Sequence, residues 1–356
     1  MKADLTKNNL QAAAYWTIIL TGAVAALIYF RPFLEPIVLA LLVWYLIRTI
    51  RKFIGKIKVL ERFCPLWLQR ILAFGIAFGV LYGIYQIISL NVALIAENAN
   101  RYDLNLRLFL VEVRDFTDTY SWLPNIEDTI RDFDYKGLIT GTFNSISAIV
   151  GSIALILVYV VFFVIEENYM GDKMHHMFKK DSNRQSFRVT VERISQSVNK
   201  YFTVKTEVSI LTAVVSFLLL LLMNVDFPVL WAFIIFVLNF IPYVGSLVAS
   251  LLPAIFAIFQ FASFWPFVYV LLVIEAVQII VGNYIEPKLM GRTLNLSPLA
   301  VIMALSFWGS LWGILGMILA VPIVSVIIII CTQFPATRGI AVLLTENGDI
   351  GQLEQE

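Results

Sequence analysis

The segment "NFIPYVGSLVASLLP", Asn239–Pro253, sits inside an apolar run from Pro228 to Phe264 and breaks it with two prolines and a glycine. As a single helix that run of about 37 residues would be roughly 55 Å long. The hydrocarbon core of a bilayer is about 30 Å thick, so the run cannot be one plain crossing. Proline removes a backbone donor and breaks helices. Pro242, Gly245 and Pro253 therefore predict a broken helical hairpin that goes in and returns to the side it left.

The bulk composition supports that reading. Of 356 residues, 60% are hydrophobic and 14% charged, where a soluble domain carries about 25% charged residues. So little charge cannot cover a globular surface in water. Apolar runs at Ala12–Phe30, Ile71–Leu90, Phe143–Ile165 and Val208–Met223 come near the length of a transmembrane helix. None alternates as the ~10-residue strands of an outer-membrane barrel do. The fold expected is an all-α polytopic membrane protein with about six full spans. Two broken, re-entrant hairpins enter it from opposite faces, and one external and one cytoplasmic amphipathic segment complete it.

Charge bias orients the chain. Arg48 to Arg70 holds seven basic residues and one acid, Glu61, and is cytoplasmic by the positive-inside rule. The amino terminus is then inside, Arg31–Pro36 is an external turn, and a second helix covers about Phe33–Ile47. Glu97–Lys136, with nine acids and five basic residues, lies outside, and Glu166–Lys205, with eight basic residues and five acids, lies inside. Both termini are expected in the cytoplasm. The sequence divides into an amino-terminal transmembrane half (1–205), a carboxy-terminal transport half (206–335) and a tail (336–356).

The outer insert (about 91–140) is amphipathic, with Leu106, Phe109, Leu110, Val113, Phe116 and Tyr120 at helical spacing and an end near Trp122–Pro124. The inner segment (about 172–202) repeats the pattern with Phe187, Val191, Ile194, Val198 and Phe202. It can lie on anionic lipid or pack on the protein's own helices. Gly75, Gly79 and Gly83 form GxxxGxxxG, which clears one helix face for close packing against another helix.

A second long apolar run, Leu299–Ile330, is interrupted at Phe307–Gly316 ("FWGSLWGILG") and carries Pro322. It reads as a hairpin entering from the inside. Each hairpin has Gly-Ser-Leu at its expected bend, Gly245–Ser246–Leu247 and Gly309–Ser310–Leu311. Unpaired backbone is tolerated in hydrocarbon only where it lines a cavity or is buried in protein, and transporters place substrate sites at such breaks. Two ordinary spanning hairpins with proline kinks are the plainer alternative.

Glu275 lies mid-way along Phe267–Val281, with Gln278 one turn on. An acid at the bilayer centre costs roughly 2.5–3.5 kcal/mol on insertion scales. Low dielectric disfavours a charged carboxyl, so Glu275 is a candidate to trade a proton during transport, or else a hydrogen-bonded residue at a seam. Asn239 and Asn283 are candidate contacts for a substrate hydroxyl, and equally plausible as caps of broken helix ends. In "GNYIEPKLMGR", Gly282–Arg292, Pro287 is expected to end a helix. Glu286, Lys288 and Arg292 would hold the elbow at the cytoplasmic interface, and Gly291 would permit the turn. His175–His176 reads as a solvated pair in a basic loop. The two cysteines, Cys64 and Cys331, give neither a disulfide framework nor a metal spacing. The sequence holds no P-loop, no catalytic triad and no cofactor motif, so no metal, cofactor, nucleic acid or enzymatic activity is expected.

"NFIPYVGSLVASLLP", "GNYIEPKLMGRTLNLSPLAV" (Gly282–Val301) and "WGILGMILAVPI" (Trp312–Ile323) together resemble the autoinducer-2 exporter family of bacterial membrane proteins. The pattern falls on Asn239, Pro242, Gly245 and Pro253, then Asn283, Glu286, Pro287, Met290, Gly291 and Pro298, and finally Gly313, Gly316 and Pro322. The resemblance implies an inner-membrane secondary transporter assembled as a homo-oligomer, a pentamer. Members are linked to export of the quorum-sensing signal autoinducer-2, others to sodium(lithium)/proton exchange. Glu275 lies outside the motif, so its role rests on physics alone. The leading expectation is export of a small polar solute driven by an ion gradient. Antiport and a non-transporting membrane assembly protein are the alternatives.

Overall fold

The structure is a computed structural model and describes residues 2–56, 66–119, 153, 155–167, 169–170, 172–173, 176, 181–290 and 295–348. The described residues contain helix and no strand. The helices are α1 (Lys2–Tyr29), α2 (Arg31–Lys56), α3 (Leu66–Glu97), α4 (Ala99–Thr119), α5 (Asp181–Leu222), α6 (Pro228–Leu238), α7 (Val244–Phe261) and α8 (Phe264–Ile280). A π-helical turn at Val281–Ile285 follows, then α9 (Glu286–Met290), α10 (Pro298–Thr332) and α11 (Arg338–Leu344). Residues 155–167 are also helical. Among the described residues six helices are long and apolar enough to cross a membrane. The protein is a multi-pass helical membrane protein.

The chain forms two compact units. One comprises Met1–Phe74, Ser152–Arg184 and Ile302–Val321; the other Gly75–Gly151, Gln185–Val301 and Pro322–Glu356.

In the first unit, the expected turn at Arg31–Pro36 contracts to Phe30, whose carbonyl accepts the amides of Phe33 and Leu34 at 3.0 and 2.9 Å. Pro32 lies in the first turn of α2, where a missing donor costs little, while Pro36 lies inside the helix and removes one of its backbone bonds. Glu167 accepts hydrogen bonds from Arg51 (2.7 Å) and Trp44 Nε1 (3.2 Å), which joins the helical stretch 155–167 to the basic end of α2.

In the second unit, α4 is amphipathic as expected: Tyr102, Leu106 and Phe109 are buried while Leu104 and Leu108 are exposed. Its expected end near Trp122–Pro124 and the start of the 143–165 span lie outside the described residues. The inner amphipathic segment is not a separate helix. No glycine or proline interrupts the chain between it and the apolar run, so α5 continues unbroken for 42 residues. A Cβ added at Gly75, Gly79 or Gly83 on α3 would meet nothing within 4 Å, so their expected packing face is open within the described chain.

The first hairpin is α6 and α7. Trp231, near the start of α6, packs on Phe256, near the end of α7, at 5.2 Å between ring centroids, so the arms run antiparallel. Its mouth is clamped by Gln260, which donates through Nε2 to the Asn224 carbonyl and accepts the Asp226 amide through Oε1, both at 2.7 Å. Helix α4 fastens to the same place. Tyr102 Oη donates to Asp226 Oδ2 at 3.1 Å, and Asn105 Nδ2 donates to the Gln260 carbonyl at 2.8 Å. Burial, with the Asp226 carboxylate beside it, holds the Tyr102 hydroxyl well above the usual phenol range. The turns around the hairpin use non-glycine residues with positive φ: Asn224, Phe227, Tyr243 and Ala262. Gln260→Ala would remove the partner of the part-buried Asn224 carbonyl and Asp226 amide, a loss of about 1 kcal/mol for each bond. Thermal unfolding in detergent should show it, with freer proteolysis between Met223 and Pro228.

Candidate functional site

The tip of the first hairpin is built by a run of tight backbone bonds. The amides of Asn239, Phe240 and Ile241 bond to the carbonyls of Ile235, Val237 and Leu238, and Gly245 returns to Ile241 at 3.1 Å. Asn239 is buried in this turn, Pro242 follows it, and Tyr243 is exposed at its outermost point with φ 60°. Ser246 Oγ donates to the Tyr243 carbonyl at 2.9 Å and closes the start of α7. Gly245 has no room for a side chain, since a Cβ there would overlap the Leu238 carbonyl. Tyr201, fully buried on α5, donates its hydroxyl to the Phe240 carbonyl at 3.0 Å and so ties the tip to α5.

The α7–α8 seam runs behind the tip. Ser250 is fully buried on α7, and its hydroxyl faces the Glu275 carboxyl of α8. The same hydroxyl lies 3.0 Å from the Ser246 carbonyl. A hydroxyl has one proton to give and two lone pairs to receive. An ionised Glu275 accepts that proton. A protonated Glu275 donates to Ser250, which then turns its own proton to Ser246. The contact is satisfied in either state.

Toward the end of α8, Gln278 is 6% exposed and its Nε2 has no partner. The helix does not stop at Pro287. A π-turn at Val281–Ile285, in which the Glu286 amide bonds to the Val281 carbonyl five residues back, admits the proline, and helix continues to Met290. Such single π-turns cluster at functional positions. Asn283 faces outward from this turn and Lys288 is exposed, while Gly291 and Arg292 lie outside the described residues. Glu286 forms an ion pair with Lys205 of α5, whose side chain is 6% exposed against 22% for Glu286. Val204 and Val208 of α5 pack with Val281 around that pair. Glu286 is thus a partner in a buried pair, where an interfacial anchor was expected.

The second break lies in the other unit, within α10. Trp312 (φ −125°, ψ 15°) and Gly313 (φ 60°, ψ −140°) leave the helix, the second in a region open essentially to glycine alone. A Cβ at Gly316 would overlap the Trp308 carbonyl, and one at Gly309 would meet Met317. The chain therefore doubles back here. Ser310 Oγ is spent on the Phe307 carbonyl at 2.8 Å, a local bond. Trp312 Nε1 points to the Leu27 carbonyl at 3.4 Å, placing this tip beside the end of α1.

The two Gly-Ser-Leu tripeptides are not equivalent. The first opens the second arm of its hairpin, and the second closes the first arm of its own. The matching positions are Gly245 and Gly316, each pressed on a carbonyl of the opposite arm. Of the sequence-selected residues, Asn239, Pro242, Gly245, Ser246, Glu275, Gln278, Asn283 and Glu286 belong to one unit, and Gly309 and Ser310 to the other. Sequence reasoning missed Lys205, Ser250 and Tyr201. The first two carried a signal, a charge or hydroxyl at helical spacing from other small polar residues: Lys205, Ser209, Thr212, Ser216 on α5 and Ser246, Ser250 on α7.

Comparison with known proteins agrees with this architecture. The family described as AI-2E family transporter matches residues 17–336. The chain is similar to the AI-2 transport protein TqsA of Escherichia coli (strain K12), 34% identical over 209 residues, 59% of this chain and 60% of that one. It is also similar to a protein of Borreliella burgdorferi that carries a transport-protein name, 26% identical over 355 residues, 97% of this chain and 95% of that one. A similarly named protein of Haemophilus influenzae is 28% identical over 347 residues, 94% of each chain.

Proposed function

The chain belongs to the AI-2E transporter family, a family of membrane transporters, and we propose that it exports a small hydroxylated solute, autoinducer-2 the first candidate, in exchange for protons. The site is the bacterial inner membrane, with both termini in the cytoplasm. The name of TqsA supports that choice of solute. The observation that carries the coupling is the Glu275–Ser250 contact between α8 and α7, in which the hydroxyl can serve the carboxyl as donor or as acceptor. Buried Asn239 and Gln278 offer neutral donors and acceptors to a solute, as hydroxyl recognition requires.

The first hairpin is the moving part in this proposal. Its arms of 11 and 18 residues rise about 16 and 27 Å. With its mouth at the outer surface, its tip lies past the middle of a core about 30 Å thick. The open glycine face of α3 is the surface expected to meet a second copy in a homo-oligomer.

In proteoliposomes with an imposed pH gradient, wild type should concentrate autoinducer-2 against its own gradient. Glu275→Gln should lose that concentration while still exchanging solute at equal pH. Undiminished concentration by Glu275→Gln would remove the carboxyl from the mechanism. Sodium(lithium)/proton antiport is the second reading. It is favoured by one observation: Glu275, the Ser250 hydroxyl and the Ser246 carbonyl converge as oxygen donors.

A further inference from the structure

Helix α5 presents Ser209, Thr212 and Ser216 on one face, each fully buried. By i, i+4 spacing that face also carries Val208, which clusters with Val281 of α8, and Leu220, which belongs to one apolar cluster with Val270 and Ile274 of α8. Hydroxyls on a buried helix ordinarily bond to the carbonyl four residues back. Thr212 does so, donating to Val208 at 2.9 Å. Ser209 and Ser216, one turn to either side, have no partner. Small residues alone would mean close helix packing. An independent group on α8 argues otherwise: Gln278, at helical spacing from Ile274 and Val281, is buried with its Nε2 also unpartnered. Buried polar atoms in native proteins are nearly always hydrogen-bonded, to protein or to ordered guests.

The chemistry of the seam selects its guest. Lys205 is paired with Glu286 at one end, and the Glu275 carboxyl is engaged by the Ser250 hydroxyl of α7. An unpaired ion would lose its hydration for nothing but neutral dipoles. Two hydroxyls and an amide donor suit a neutral oxygen instead. We propose that the α5–α8 seam is a binding site for neutral hydroxyl-bearing molecules, water or a hydroxylated solute, seated on Ser209, Ser216 and Gln278. This rests on the transporter reading for its purpose, while its test needs no transport.

The test is cysteine accessibility in the full-length protein in liposomes, in a Cys64→Ser, Cys331→Ser background. Ser209→Cys and Ser216→Cys should react with a small water-soluble methanethiosulfonate about tenfold or more faster than Leu220→Cys. Leu220 is equally buried on the same face but lies within an apolar cluster. Slowing by glycerol or a free pentose identifies a hydroxylated solute as the guest, and labelling indifferent to both identifies water. Labelling at both sites no faster than at Leu220→Cys in folded protein overturns the proposal. Loss of flux in fully labelled, accessible protein is a separate result that bears only on transport. Should a cysteine prevent folding, the melting point of the Ser209→Ala, Ser216→Ala double variant decides. A dry seam loses two orphaned hydroxyls and melts higher, whereas an occupied seam loses its guest contacts and melts lower.

Discussion

Glu286→Gln is expected to destabilise the protein by about 5 kcal/mol, Lys205→Met by about 3 kcal/mol, and the double variant by far less than their sum. Breaking a buried pair strands the surviving charge, so the cost follows the burial of what remains. Removing Glu286 leaves an ammonium that is 6% exposed, and removing Lys205 leaves a carboxylate at 22%, which retains some solvent. The order of the two single variants is thus fixed by geometry. Replacing both ends leaves no uncompensated ion and a seam already lined by Val204, Val208 and Val281. Unfolding of the four proteins in detergent gives the full cycle. Equal single costs, or a double variant as unstable as the worse single, would mean that the pair does not hold α5 to the π-turn.

Gly245→Ala and Gly316→Ala are each expected to cost about 3 kcal/mol or more, because the added carbon meets main chain rather than a side chain that can swing aside. At Gly245 the obstacle is the Leu238 carbonyl, and at Gly316 the Trp308 carbonyl. Moving either opens a hairpin tip. Gly282→Ala is the control, since nothing lies within 4 Å of the new atom. Folded yield and melting temperature after reconstitution should fall for the first two and hold for the third. A neutral Gly245→Ala would show that the tip is looser than its hydrogen bonds imply.

Much of this architecture was legible because it follows from length and breakers. Runs too long for a bilayer, cut by Pro242 and Gly245 and by Phe307–Gly316, gave both breaks, the second with its bend expected at Gly309–Leu311 and found at Trp312–Gly313. The amphipathic spacing of Leu106, Phe109, Leu110 and Val113 gave α4 and most of its buried face, to which Tyr102 is added by the structure. Local turn chemistry was not legible. Phe227, Tyr243 and Ala262 adopt positive φ where residue type points elsewhere, held there by the Gln260 clamp and the packing of the arms. Pro287 looked like a helix end because a proline ordinarily is one. The π-turn before it, which depends on the i to i−5 bond at Glu286, has no residue signature. The partners of the candidate carboxyls were hidden for a different reason. Ser250 is 25 residues from Glu275, and Lys205 lies on a helix separated from Glu286 by the whole first hairpin. Charge counts assign Lys205 to a cytoplasmic loop, and only packing shows it buried.

In the proposed mechanism protons move through Glu275 in exchange for a solute. The most direct measurement follows a pH-sensitive dye in proteoliposomes carrying an imposed pH gradient, on addition of autoinducer-2, sodium or lithium, for wild type and Glu275→Gln. Autoinducer-2 should dissipate the gradient with wild type, Glu275→Gln should abolish the response, and neither cation should produce one. Dissipation by sodium or lithium with autoinducer-2 inert would contradict this mechanism in favour of antiport, and an unchanged response in Glu275→Gln would contradict it altogether.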